Sequence, residues 1–245
     1  MTNSLKGYFS KHKGDAPADV KEFKIKVLIG KGSFGKVFLV QRNNQVYAMK
    51  TIRKDLLLEK TLIEHCLLEK EVLMNTDHPF MVNMEYVFQT ENRIFFIMRF
   101  VRGGELYRHL RAEKQFSEKR AKFYVMQVAL AIGHLHSMNV VYRDLKPENI
   151  LMDSDGYIRL TDFGLSKSLE RSEDAYTFCG TPQYLAPEIL AKKGHNKPVD
   201  WWTLGILTYE LIVGFTPFYC GGDTQKMYDS IETKPVPFPG VANKI

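Results

Sequence analysis

Three glycines, Gly30, Gly32 and Gly35, lie in the stretch IGKGSFGKVF and are spaced as in loops that cradle phosphate. The same ten residues satisfy three such patterns. G-x-G-x-x-G is the dinucleotide fingerprint; Gly30, Gly35 and Lys36 nearly spell G-x-x-x-x-G-K-[ST]; and Gly30 to Val37 spells G-x-G-x-x-G-x-V. Further along come YRDLKPEN from Tyr142 to Asn149, DFG from Asp162 to Gly164 and APE from Ala186 to Glu188. Taken singly, a lysine near a glutamate is most often a surface salt bridge, and an aspartate near an asparagine most often a turn. With YAMK from Tyr47 to Lys50, five motifs in one order between Gly30 and Glu188 are read together, as phosphate chemistry.

The elements around the glycines decide which loop this is. VFLV, then QRNNQ, then VYAMK place β-branched and aromatic residues on both sides of a polar turn, which predicts strand, turn, strand. A Walker loop must feed a helix and carry Ser or Thr after its lysine, where Val37 stands, and a dinucleotide loop must open a helix as well. Only the third form lies between antiparallel strands, as a flap over phosphates. Helical spacing follows from Thr61 to Met74, ending near Asp77-His78-Pro79, and residues 80 to 101 return to strand composition with IFFIM clearest. From Ser117, a helix N-cap, Ala121, Tyr124, Val125, Val128, Ala129, Ile132 and Leu135 recur every three or four residues and predict a long amphipathic helix. A strand-rich first third and a helical remainder predict two lobes joined near Val101 to Gly104. Asp153-Ser154-Asp155-Gly156 hints at a calcium loop but lacks its later ligand positions, and reads as a hairpin turn.

Bulk properties narrow the class. The 245 residues are 44% apolar and 25% charged, enough for one large domain or two lobes with real cores. No apolar run approaches the roughly 20 residues of a membrane span; the best, LGILTYELIVGF, contains Glu210. The start, MTNSLKGYFSKHK, has neither a signal-peptide apolar core nor a second-position glycine for myristoylation, so an intracellular protein is expected. Cys66, Cys179 and Cys220 are odd in number and unpaired in spacing, which argues for reduced thiols over disulfides or zinc. The formal charge of +6 is concentrated: residues 1–36 hold eight lysines against Asp15, Asp19 and Glu22, a net +5. With no basic run interleaved with aromatics, nucleic acid is not an expected partner.

YRDLKPENIL, TDFGLSK and TFCGTPQYLAPEIL resemble the protein kinase superfamily, and more closely the AGC group of serine/threonine kinases that includes protein kinases A, B and C. The resemblance runs from about Phe23 to Ile245; Tyr142 stands where many kinases have His, a substitution common in this group. It implies an α+β, two-lobed kinase fold: residues 1–22 a flexible basic extension, 23–101 an antiparallel β-sheet lobe with one key helix, and 102–245 a mainly α-helical lobe. Further helices, an arginine pairing with Glu188 and a regulatory tail are expected beyond FPGVANKI.

The implied activity is transfer of the γ-phosphoryl of ATP, with Mg2+, to Ser or Thr hydroxyls of proteins. By resemblance, Asp144 accepts the hydroxyl proton, Lys146 steadies the transferring group, and Asn149 and Asp162 hold magnesium through oxygen. Lys50 binds the α- and β-phosphates and pairs with Glu69. Gly30, Gly32, Ser33, Phe34, Gly35, Val37 and Ala48 contact the nucleotide. Met98 is the gatekeeper beside adenine, Arg99 to Val101 form a hinge that uses backbone groups, and Glu105 contacts the ribose or a substrate arginine. Thr181 lies beside Asp144 and, with Lys146, marks a serine/threonine enzyme. Thr177 aligns with the activation-loop phosphorylation site, and His65, Arg143 and Lys167 with the cradle for its phosphate. Glu105, Glu148 and Glu210 match positions that receive substrate arginines, implying a basophilic enzyme. The implied partners are basic protein substrates and an upstream activating kinase; the chain is expected to be a monomer, cytoplasmic with the nucleus as an alternative. The competing reading is a non-catalytic kinase-fold scaffold or inactive fragment. Such proteins usually lack equivalents of Lys50, Asp144 or Asp162, which are all present.

Overall fold

A computed structural model describes residues 19–32, 35–57, 60–168, 180–192 and 196–238. The chain divides into two compact units, Met1–Asp77 with Met81–Arg102, and His78–Phe80 with Gly103–Ile245. His78–Phe80 therefore belong to the second unit, although the sequence between Phe23 and Val101 was read as one lobe.

The first unit is an antiparallel sheet of β1 (Lys24–Lys31), β2 (Gly35–Arg42), β3 (Gln45–Arg53), β4 (Met84–Gln89) and β5 (Arg93–Arg99), in the order β1-β2-β3-β5-β4, with helix α1 (Lys60–Asn75) between β3 and β4 in sequence. Asn43 and Asn44 join β2 to β3 with φ of 47° and 62°. These left-handed values belong to the hairpin turn whose twist matches its strands, and asparagine tolerates them better than other side chains do. Phe23, Val40, Tyr47, Met49 and Ile97 form an apolar core, in which Phe23 meets Tyr47 edge-on at 5.6 Å. Residues 19–22, placed by the sequence in the extension, form a 3₁₀ turn with a reciprocal capping box between Asp19 and Glu22. Glu22 also binds Arg42 at 2.8 Å, so the built structure starts ahead of Phe23.

The second unit is mainly helical. Its elements are α2 (Leu106–Glu113), α3 (Glu118–Ser137), β6 (Val140–Val141), β7 (Ile150–Met152), β8 (Ile158–Leu160), β9 (Lys167–Ser168), α4 (Pro187–Leu190), α5 (Pro198–Val213) and α6 (Thr224–Thr233). Ser117 caps α3, its hydroxyl accepting from the Arg120 N–H, and Ala121, Tyr124, Val128, Ile132 and Leu135 are buried along one face. Asp153–Gly156 is the turn of the β7–β8 hairpin, with Gly156 at φ 81°. The Gln127 carboxamide reaches from α3 to accept the Ile158 N–H at 2.9 Å and so ties this hairpin to the helix. Phe80 closes the same corner: its carbonyl accepts the Leu160 N–H at 2.8 Å and its ring stacks on Tyr157. Among the described residues no helix is long and apolar enough to cross a membrane.

Candidate active site

In the first unit, strand register lines up the nucleotide-loop residues. Gly30 faces Val37 across β1 and β2, Val37 faces Lys50 across β2 and β3, and Ala48 faces Met98 across β3 and β5. The glycine loop is closed by the Gly32 N–H donating to the Gly35 carbonyl at 2.9 Å. A Cβ on Gly35 would lie 1.7 Å from the Thr51 carbonyl oxygen, whereas Gly32 has nothing within 4 Å. The Lys50 ammonium reaches Glu69 on α1 at 2.6 Å, and the Glu69 side chain is only 4% exposed. A carboxylate so buried requires its cation, and removal of either partner of such a pair typically costs about 3–5 kcal/mol. Met98 and Val101 are buried, while Arg99 turns outward onto Glu85. Ser33 and Phe34, at the loop tip, lie outside the described residues.

In the second unit, the turn after β6 gathers four of the expected residues. The Lys146 ammonium donates to both Asp144 oxygens, at 3.0 and 2.8 Å, and to Thr181 Oγ1 at 3.1 Å. The Thr181 hydroxyl in turn donates to Asp144 Oδ1 at 3.3 Å. Asn149 Nδ2 donates to Asp144 Oδ2 at 2.9 Å and to the Asp144 carbonyl at 2.8 Å. Asn149 itself is 7% exposed. The Thr161 N–H donates to the Asn149 carbonyl at 3.0 Å, which sets Asp162 beside this loop. Asp162 is exposed and holds φ at 57°, a left-handed value uncommon among non-glycine residues.

One residue organises this loop from beneath, and the motif reading did not single it out. Asp200, on the first turn of α5, is fully buried. Its carboxylate accepts the backbone N–H groups of Tyr142 at 2.9 Å and Arg143 at 2.8 Å, and meets His136 Nε2 at 2.7 Å. Those bonds hold Arg143 at φ 69°, so the chain turns sharply just before Asp144. The sequence signal was an aspartate next to two tryptophans and an apolar residue, within PVDWW. Tyr142 is buried against Phe163, edge-on at 5.5 Å, and burial pushes its hydroxyl well above the ordinary tyrosine range.

The residues expected to read the substrate separate. Glu148 and Glu210 line one cavity of about 400 Å³ together with Thr181, Tyr184 and Arg111. Glu105 does not line it; it precedes α2 and bridges Leu151 through its backbone. Glu210 is 9% exposed and accepts a hydrogen bond from the Tyr184 hydroxyl. Burial pushes its carboxyl above the ordinary glutamate range, and the bond from Tyr184 acts in the opposite direction. Of the expected phosphate cradle, Arg143 is buried with its Nε donating to the Leu165 carbonyl at 2.7 Å, and His65 and Lys167 are half-buried. Thr177 lies outside the described residues.

A sheet unit carrying a glycine loop and a Lys–Glu pair, and a helical unit carrying an Asp–Lys–Asn–Thr cluster, are the two parts of a kinase fold. Residues 23–238 match the protein kinase domain, and the chain belongs to that family. It is 48% identical over 225 residues to protein kinase 2 of Dictyostelium discoideum, covering 91% of this chain and 46% of that protein. It is 47% identical over 234 residues to the serine/threonine-protein kinase Sgk3 of Rattus norvegicus, covering 94% and 47%. To Sgk1 of Xenopus tropicalis it is 48% identical over 231 residues, covering 92% and 55%. The chain thus spans about half the length of these relatives.

Proposed function

We propose that this chain carries an ATP-dependent serine/threonine protein kinase activity. The observation that carries the reading is the Asp144 carboxylate, held from two sides by Lys146 and Asn149 and already accepting a side-chain hydroxyl, that of Thr181. A substrate hydroxyl needs that same acceptor geometry to lose its proton as it attacks phosphorus. Lys146, on the same carboxylate, supplies positive charge where the transferring group gains negative charge. Asn149 and Asp162 offer the oxygen donors that a hard divalent cation takes, which fits the donor set to magnesium. Mg-ATP supplies the transferable phosphoryl group and neutralises its charge. Lys50, fixed by Glu69, and the backbone around Gly30 to Gly35 bind its phosphates.

Two finer statements belong to the same proposal. The enzyme is basophilic, because Glu148 and Glu210 present carboxylates in one cavity beside Thr181. It is switched on by phosphorylation of Thr177 by an upstream kinase, because Arg143 and Lys167 lie on the two short segments that pair as β6–β9 and their flanks. A phosphate there gains roughly one to three charge-assisted hydrogen bonds.

The test compares the wild-type chain, phosphorylated and unphosphorylated at Thr177, with Asp144→Asn and Thr177→Ala, on Mg-ATP and an arginine-rich serine peptide. Asp144→Asn is expected to lower transfer by about 10²–10⁴-fold while nucleotide binding is kept. Thr177→Ala is expected to lower turnover while nucleotide binding is kept. Transfer that survives in Asp144→Asn refutes the catalytic assignment. Equal turnover of Thr177→Ala and phosphorylated wild type refutes the switch.

A further inference from the structure

The acidic cavity contains a cation of its own. Four charged side chains line it: Glu148, Glu210, Asp223 and Arg111. Arg111, in the last turn of α2, is exposed, and its guanidinium lies over the Tyr107 ring at 5.0 Å from the centroid. Stacking on an aromatic face restricts a long side chain to one region, here the cavity wall. Its charge acts on both Glu210 and Glu148.

The groups facing Glu210 come from several elements. Tyr184 donates to it, Glu148 repels it, and Arg111 attracts it. Asp223, with its side chain capping α6 through the Lys226 N–H at 3.1 Å, and Tyr219 and Cys220 complete that side of the wall. When ionised, a carboxylate this buried is favoured by a nearby counter-charge. Before a basic side chain arrives, Arg111 is the cation in the cavity that can supply it. A substrate guanidinium entering the cavity takes over that role and meets the like charge of Arg111.

We propose that Arg111 is the resident cation of the Glu148–Glu210 cavity, a specificity-determining residue that limits how strongly the cavity holds a basic side chain. This rests on the basophilic reading above. Removing Arg111 has two effects of opposite sign, separated by pH. Where Glu210 is fully ionised, loss of the like charge strengthens binding of an arginine peptide. At lower pH, Glu210 without Arg111 takes up a proton more readily, and binding falls earlier.

The experiment measures binding of a fluorescent arginine-containing peptide, and of its citrulline counterpart, to wild type, Arg111→Gln and Arg111→Lys between pH 5 and 9. At pH 8.5, Arg111→Gln is expected to bind the arginine peptide roughly fivefold more tightly, the factor expected for one partly exposed charge pair. The pH at which that binding is half lost should be higher in Arg111→Gln than in wild type. The citrulline peptide should not respond, and Arg111→Lys should behave as wild type. Tyr107→Leu, which removes the ring beneath the guanidinium, should give an intermediate effect. Equal or weaker binding by Arg111→Gln at pH 8.5 overturns the proposal, as does an equal change for citrulline. If the wild type binds both peptides equally, the basophilic reading fails instead.

Discussion

At the residue scale, the cost of a buried charge is visible at Glu210. Burial holds its folded-state pKa above the ordinary glutamate value of 4.5. The native state therefore keeps its proton to a higher pH than the unfolded chain does. Stability from this group is fully present below the unfolded value and is lost as pH rises through the folded one. At neutral pH an ionised Glu210 is a net liability to the fold. Glu210→Gln keeps an acceptor for the Tyr184 hydroxyl, and is expected to raise the melting temperature at pH 7.5 and change it little at pH 4. A scanning calorimetry series across that range checks this; a uniform drop at both pH values would refute it. On the basophilic proposal, the same variant should lose affinity for basic peptides. Cys66 shows the complementary case: its buried thiol is pushed up to about 12, out of reach of ordinary alkylation.

At the scale of elements, the glycine loop separates two demands that the motif merges. Gly35 is required by packing, since any side chain there collides with the Thr51 backbone on β3, and backbone cannot yield as a flexible side chain can. Gly32 has open space around its missing Cβ, so its role lies with what approaches the loop. Gly35→Ala is expected to lower stability by about 1–3 kcal/mol, read as a shift of the urea midpoint. Gly32→Ala should unfold with wild type and affect nucleotide affinity alone. Equal destabilisation by the two would show that the distinction is false. Much of this architecture was legible in the sequence because periodicity and turn chemistry are local. The Asn43-Asn44 hairpin, the Ser117 cap and the DSDG turn each depend on residues a few positions apart. Glu69 and Thr181 were reached through the family resemblance, and both stand where bonds to Lys50 and Lys146 can form. Asp200 was not reached, because its partners lie 57, 58 and 64 residues away and only the folded chain brings them to one carboxylate. Glu105 illustrates the opposite limit. Its motif position matched that of Glu148 and Glu210, yet the cavity is lined without it.

At the scale of the whole molecule, the chain passes between its two units three times, because His78–Phe80 are built into the second unit while residues on either side belong to the first. A cut after Arg102 would leave Phe80, its carbonyl bond to Leu160 and its stacking on Tyr157 on the wrong fragment. Cooperation between distant stretches of chain is deepest at the buried carboxylate under the catalytic loop. The turn that leads into Asp144 has no ladder partners for its amides, and turns of that kind usually trade their amide protons with solvent within seconds to minutes. Here the amides of Tyr142 and Arg143 point inward to a carboxylate with no solvent contact. Their release requires α5 to part from the strand end at Val141, which amounts to unfolding the helical unit. In heavy water those two protons, two and one residues ahead of Asp144, should be among the last to disappear, at the rate of global opening. The two amides just ahead of Asp144 thus serve as a clock for the stability of the entire unit.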